Sequence, residues 1–278
     1  MTSVLFAALS ALVWGVGDYC GGKATQLGSR ALAVTVISQV LSVPVLVICL
    51  LILPGSPRPA DLAWGATAGV AGLFGIVLLY RALSAGAMAV VAPVTAVTAA
   101  VVPLGAGLMF ERIPGGLALT GAGFAVGAIA LVSLGPREDS GKVSSGLIGL
   151  ALGAGALFGV FFSLLGQVSG EAGMWSLVAV RAGSISIGLA VVVATRTPLR
   201  LTRPAVPWAL VAGPLDVAAN ALFIVATFEG HLSVVAPIAA LYPASTVLLA
   251  LAIDKERLRP IQLAGLGLAA TALVLASS

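Results

Sequence analysis

Again and again this chain runs for roughly 20 residues almost without a charge. There are ten such runs, near 3–22, 31–53, 62–80, 88–110, 116–134, 146–166, 174–194, 206–227, 233–252 and 261–277. A helix of that length crosses a bilayer, because inside lipid every backbone N–H and C=O must be bonded within the segment. The breaks are short and hold most of the charge: Pro54 to Pro59 with Arg58, Gly135 to Asp139, Arg200 to Pro204, Asp254 to Arg257. No break is long enough for an extramembrane domain. Only 9% of the chain is charged, against about 25% in soluble domains. That is too little to clothe a water-soluble globule, which excludes a soluble enzyme, a disordered protein and a nucleic-acid binder. The reading is an all-α polytopic membrane protein with ten transmembrane helices. The first run has no Lys or Arg before Lys23 and is long for a signal sequence, so it counts as a span.

The basic residues set an orientation. With alternate ends placed on opposite sides, Arg58 and Arg112 fall on one side and Arg181 inside a span, while the other eleven of the 14 Lys and Arg, from Lys23 to Arg259, share the opposite side. The positive-inside rule assigns the eleven to the cytoplasm. Both termini are then expected outside a cell (inner) membrane, with Asp61, Glu111, Glu171 and Glu229 on the outer face.

Sliding the chain on itself by 144 residues aligns Gly15 with Gly159, Pro54 with Pro198, Trp64 with Trp208, Gly69 with Gly213 and Gly121 with Gly265. It also superposes Val90-Val91-Ala92-Pro93 on Val234-Val235-Ala236-Pro237. Matched Trp and Pro at one constant offset signal an internal repeat. The expected division is residues 1–134, a connecting loop at 135–144, and residues 145–278. Five spans per repeat is an odd number, so the second copy enters the membrane from the other side. Such inverted halves build secondary transporters, with the substrate site near the midplane between them.

These features resemble the drug/metabolite transporter superfamily, and within it an EamA-type exporter. The resemblance is carried by Trp14-Gly15 in the first run, Ala92-Pro93 and Ala236-Pro237 in the fourth and ninth, Glu111-Arg112 and Glu256-Arg257, and the Gly-rich fifth and tenth runs. It implies a fold of two inverted five-helix repeats and gradient-driven export of small metabolites, typically amino acids or related compounds. Protons are a candidate coupling partner. The superfamily's usual cytoplasmic termini differ from the orientation the basic residues give.

An ionisable group at mid-span costs about 2.5–3.5 kcal/mol on insertion scales, so it reads as functional by default. Asp18, Arg181 and Asp216 stand out. Thr35, Ser38, Gln39 and Ser42 share one helical face, as do Asp216, Asn220, Phe223 and Thr227. Trp14 and Asp18 are one turn apart, and so are Tyr242 and Thr246. A substrate site is expected from Trp14, Asp18, Ser38, Gln39, Tyr80, Arg181, Asp216, Asn220 and Tyr242. The aromatic rings would form walls, the amides and hydroxyls would bind polar groups, Arg181 a carboxylate, and an Asp an amine or a proton. Equally open is a structural Arg181–Asp216 ion pair; the serines have the alternative of bonding back into their own helices. Asp18, near a helix end, stands either in the site or at its mouth. Pro93 and Pro237, equivalent in the repeat, are read as paired kinks and hinges. Gly65/Gly69, Gly123/Gly127, Gly149/Gly153 and Gly155/Gly159 have the spacing of close-packing helix faces.

Other chemistry is thin. Gly15-Val16-Gly17-Asp18 spells the GxGD of intramembrane aspartyl proteases, with Asp216 as second carboxylate. But the motif stands in the first span, Leu215 precedes Asp216, and no Pro-Ala-Leu follows, so this is the lesser alternative. The solitary His231 offers no zinc site or triad. Cys20 and Cys49 make no disulfide framework. No enzyme activity, cofactor or metal is expected; the partners are a small-molecule substrate and the lipid bilayer. The residues do not fix the oligomeric state.

Overall fold

The computed structural model describes residues 2–84, 88–110, 115–132, 145–242, 245 and 260–276. Helices follow one another as α1 (Thr2–Gln26), α2 (Ala31–Leu41), α3 (Val43–Ile52), α4 (Pro59–Ser84), α5 (Met88–Phe110), α6 (Gly116–Val132), α7 (Ser145–Leu165), α8 (Trp175–Thr195), α9 (Val206–Glu229), α10 (Leu232–Ala239) and α11 (Pro260–Ala276). Among the described residues there is no strand, and six stretches are long and apolar enough to cross a membrane. The protein is a multi-pass membrane protein. The 135–144 connection, Glu111-Arg112, Glu256-Arg257 and Thr246 lie outside the described residues, as do the side chains of Tyr80 and Pro93.

Sequence chemistry accounts for the breaks. The second apolar run is two helices because Pro44 has no N–H for the carbonyl of Val40. The chain turns at Ser42, whose hydroxyl caps the carbonyl of Gln39 at 2.6 Å. The ninth run breaks after α10, at Ala240 and Leu241, just before Pro243. Pro214 sits inside α9, two residues before Asp216, and frees the carbonyl of Leu210 at mid-helix. At the start of α4, Pro59 occupies the first turn, and Asp61 reaches back to the N–H of Arg58 at 3.0 Å, half of a capping box.

The bundle is close-packed through small residues. Ala7, Ala99, Ala100, Ala154 and Ala219 are all fully buried. Gly65 and Gly69 put α4 directly on the α8 backbone at Ser176 and Val180, while Gly155 and Gly159 seat α7 on Thr95, Thr98 and Val102 of α5. A β-carbon at any of these would overlap its neighbour. The other two glycine pairs behave differently: Gly127 touches Leu268 and Gly153 touches Leu78, but Gly123 and Gly149 face open space. Large apolar side chains lie on the outside, with Leu51, Met109 and Val193 more than three-quarters exposed. In water that would be untenable; facing lipid it is the expected arrangement.

The principal helix contacts join the two halves of the chain. α1 lies along α9, α4 along α7 and α8, α5 along α7, α2 and α3 along α9, and α6 along α11. Two loop clasps reinforce this at opposite ends. At one, Ser29 accepts the N–H of Thr202 at 3.0 Å, while the Thr202 hydroxyl reaches the Leu27 carbonyl at 2.8 Å. At the other, buried Asp61 accepts the Ser169 N–H at 2.9 Å and its hydroxyl at 3.0 Å. There Ser56 also donates to the Glu171 carbonyl at 2.8 Å, and Gly173, at φ +53°, lets the chain pass against Leu53 and Pro54.

Candidate functional site

Midway along the bundle three helices meet through polar side chains. Arg181, on α8, donates Nη2 to Oδ2 of Asp216 on α9. Trp14, on α1, donates its indole N–H to Oδ1 of the same carboxylate at 3.3 Å. Asn220, one turn further along α9, donates to the Asp216 backbone carbonyl at 2.6 Å. Each partner has a local reason to be there. Pro214 loosens the α9 ladder just ahead of Asp216, and the i, i+4 spacing places Asn220 above it. α1 is held at the right depth by the Ser10 hydroxyl, which donates to the Ala219 carbonyl of α9 at 2.8 Å. Gly15 and Gly17 let α1 settle between the ninth run and α9. Gly15 abuts Ser245 and the carbonyl of Tyr242, and Gly17 faces Leu215. Ser245 closes the contact by donating to the Ala11 carbonyl at 3.0 Å.

The two members of the ion pair differ in environment. The Arg181 side chain is 8% exposed and that of Asp216 42%. Arg181 is therefore fixed inside the packing, while the carboxylate it holds faces accessible space. Asp18, one turn from Trp14 on α1, is exposed and close enough to Asp216 and Tyr242 to act on both electrostatically. It makes no ion pair or hydrogen bond with another described residue. Among the described residues the buried side-chain atoms lacking a hydrogen-bond partner are Ser176 Oγ and Arg181 Nε on α8, Asn220 Oδ1 on α9, Gln39 Oε1 on α2 and Ser233 Oγ on α10. Next to Trp14 lies a cluster of edge-on and tilted rings. Trp14 meets Phe162 edge-on at 5.3 Å and Phe223 at 5.8 Å, and those two are 5.2 Å apart.

Of the residues expected in the site, Trp14, Arg181, Asp216 and Asn220 are in direct contact, with Asp18 and Tyr242 beside them. Ser38 is committed elsewhere, donating at 3.3 Å to the Ala209 carbonyl where α2 crosses α9 at Gly213. Gln39 is buried next to it with its amide oxygen unpartnered. Pro237 is buried within α10. The aspartyl-protease alternative gains nothing here: such a dyad shares a proton between two carboxyls, whereas Arg181 and Trp14 take up both oxygens of Asp216. Among the described residues no cluster of His, Cys, Asp and Glu has the makings of a metal site. Two positioning elements escaped sequence reasoning, Pro214 and the Phe162 ring; Ser10 shares the face of Trp14 and Asp18 in the sequence, and its acceptor on α9 did not show there. Pro214 was legible in hindsight as a helix breaker two residues from an intramembrane Asp; nothing in the sequence marks Phe162 out from other span phenylalanines.

Comparison with known proteins agrees with this architecture. A solved structure described as "Crystal structure of protein" is similar over 99% of this chain and 96% of its own, with a TM-score of 0.75 at 13% identity. The likeness is one of fold. No curated protein matches by sequence. The second half of the chain matches the model of the EamA-like transporter family. Over residues 145–278, just under half of its length, the chain is similar to the EamA-like transporter family.

Proposed function

We propose that the protein is a secondary active transporter that exports small metabolites, amino acids or related compounds, by alternating access of two inverted five-helix halves. The observation that carries this is the Trp14–Asp216–Arg181 constellation. It stands at mid-bundle, unites a helix of the first half with two of the second, and leaves a carboxylate accessible in a region where an idle charge is expensive. The packing supports inversion. Exchange of the halves turns the α1–α9 pair into α7–α4, two of the main contacts of the bundle, and leaves α6–α11 paired with itself. Exchange also carries the clasp between the loops at Ser29 and Thr202 onto the clasp between the loops at Ser169 and Arg58–Asp61, at the other end. A site between such halves is reached from one side at a time as the halves trade conformations. In this reading Pro93 and Pro237, equivalent in the repeat, serve as the hinges.

The test is counterflow. Purified protein in liposomes preloaded with unlabelled solute should accumulate the labelled form of at least one amino acid or related compound, and a proton gradient should change the rate if protons are the coupling ion. Failure of every solute in a broad panel, with correctly inserted protein, would refute the transport reading.

A further inference from the structure

Resting on the transport reading, we infer that the site recognises the ammonium end of its cargo through Asp18, and that Arg181 is a positioning residue with no direct hold on a substrate carboxylate. The first support is the balance of charge. The described groups here are the carboxylates of Asp18 and Asp216 and the guanidinium of Arg181. The next cation along α1, Lys23, stands over the ring of Tyr19 at 5.5 Å. Arg181 neutralises Asp216, and Asp18 is left over, exposed and without an ion-pair or hydrogen-bond partner among the described residues. An unpaired carboxylate within a membrane bundle favours a cation and repels a second carboxylate.

The second support is the placement of Arg181. It is buried, it already donates to Asp216, and its unpartnered Nε is itself out of reach of solvent. A substrate carboxylate would have to displace Asp216 and then sit beside two like charges. Together these define the cargo as an organic cation, an amine built like an amino acid but lacking the free carboxylate.

The measurement is binding to the purified full chain in detergent, followed by tryptophan fluorescence, which Trp14 reports through its bond to Asp216. Two sets of probes share a skeleton and differ in charge: 3-methylbutylamine, leucine and 4-methylpentanoate, and 2-phenylethylamine, phenylalanine and 3-phenylpropionate. In at least one set the amine should bind about tenfold or more tightly than the amino acid, with no detectable binding of the acid. Asp18→Asn should abolish that preference. The neutral pair Arg181→Gln/Asp216→Asn should leave the ratio of amine to amino acid binding unchanged, whereas a carboxylate-receiving Arg181 would raise it by weakening the amino acid selectively. Equal or tighter binding of amino acid or acid, survival of the amine preference in Asp18→Asn, or binding of none of the six would overturn the inference. Counterflow of some other solute in that event leaves the transport reading standing. Amine preference without any counterflow refutes transport and retains the recognition.

Discussion

Trp14 and Asp216, 202 positions apart in the chain, meet through a 3.3 Å bond from indole N–H to carboxylate. Together with Arg181 they form a junction in which the basic member is buried and the acidic member half-accessible. That asymmetry predicts unequal mutants. Breaking a buried pair from one side costs about 3–5 kcal/mol when a desolvated charge is left behind. Asp216→Asn strands the buried guanidinium and should lose that full amount. Arg181→Gln leaves a carboxylate that water reaches, so its loss should be nearer about 1–2 kcal/mol. The double variant should recover most of the deficit. Thermal and denaturant unfolding of the three in one detergent would check the order; equal losses would refute it.

Gly15 packs against Ser245 so closely that a methyl group there overlaps its hydroxyl and crowds the Tyr242 carbonyl. Gly22, two turns along the same helix, has nothing within 4 Å of a would-be β-carbon. Gly15→Ala should therefore force α1 off the ninth run, with an overpacking penalty of about 1–3 kcal/mol and loss of transport. Gly22→Ala should be neutral or slightly stabilising, as alanine is the better helix former. Matched melting curves and counterflow rates separate the two, and similar behaviour of both would refute the packing argument.

This contrast also shows where the sequence is legible and where it is not. Spans could be read because lipid demands about 20 apolar residues whatever the tertiary contacts, and among the described residues helices stand where the apolar runs lie. The Arg181–Asp216 junction could be anticipated because intramembrane charge is rare enough to single out its members. Which of four glycine pairs makes a helix interface could not: Gly123 and Gly155 sit in the same kind of pattern, yet one faces open space and the other Thr95 and Thr98. Spacing fixes which residues share a face, while the partner of that face depends on crossings between segments far apart in the chain. Ser38 shows the same limit, since its polar stripe was clear and its acceptor, the Ala209 carbonyl, was not.

The clasp at Asp61 should matter more than its counterpart at Ser29. Asp61 is 1% exposed, and its carboxylate accepts from the Ser169 N–H and hydroxyl and from Arg58. Bonds to a charged group contribute about 1.5–3 kcal/mol each way a partner is lost. Asp61→Ala should cost about 2–3 kcal/mol on that scale and free the 165–174 loop to proteolysis. Ser29→Ala removes neutral bonds from a more open loop and should cost about 1 kcal/mol. Limited proteolysis of both variants gives the comparison, and a Ser29 effect as large as that of Asp61 would refute it.

The basic residues predict that both ends of the chain face away from the cytoplasm. A reporter enzyme that works only outside the cytoplasm should be active when fused after Ser278, and one fused in the 135–144 connection should be silent. The reverse pattern would place the eleven clustered Lys and Arg outside and overturn the orientation. It would leave the helix contacts untouched, since they do not depend on which side is which.

Pro237 tests the hinge. It is buried within the eight-residue α10, and it withholds a donor from the carbonyl of Ser233. Pro237→Ala restores that bond and straightens the segment leading to Tyr242. If the kink serves the exchange of conformations, turnover should fall several-fold while substrate affinity changes little and the melting temperature holds or rises. A kink that only shapes the bundle gives the opposite signature, because refilling it would disturb the packing of Gly15 on Ser245 and lower stability and affinity together. Paired measurement of counterflow rate, binding and melting on the single variant decides between them.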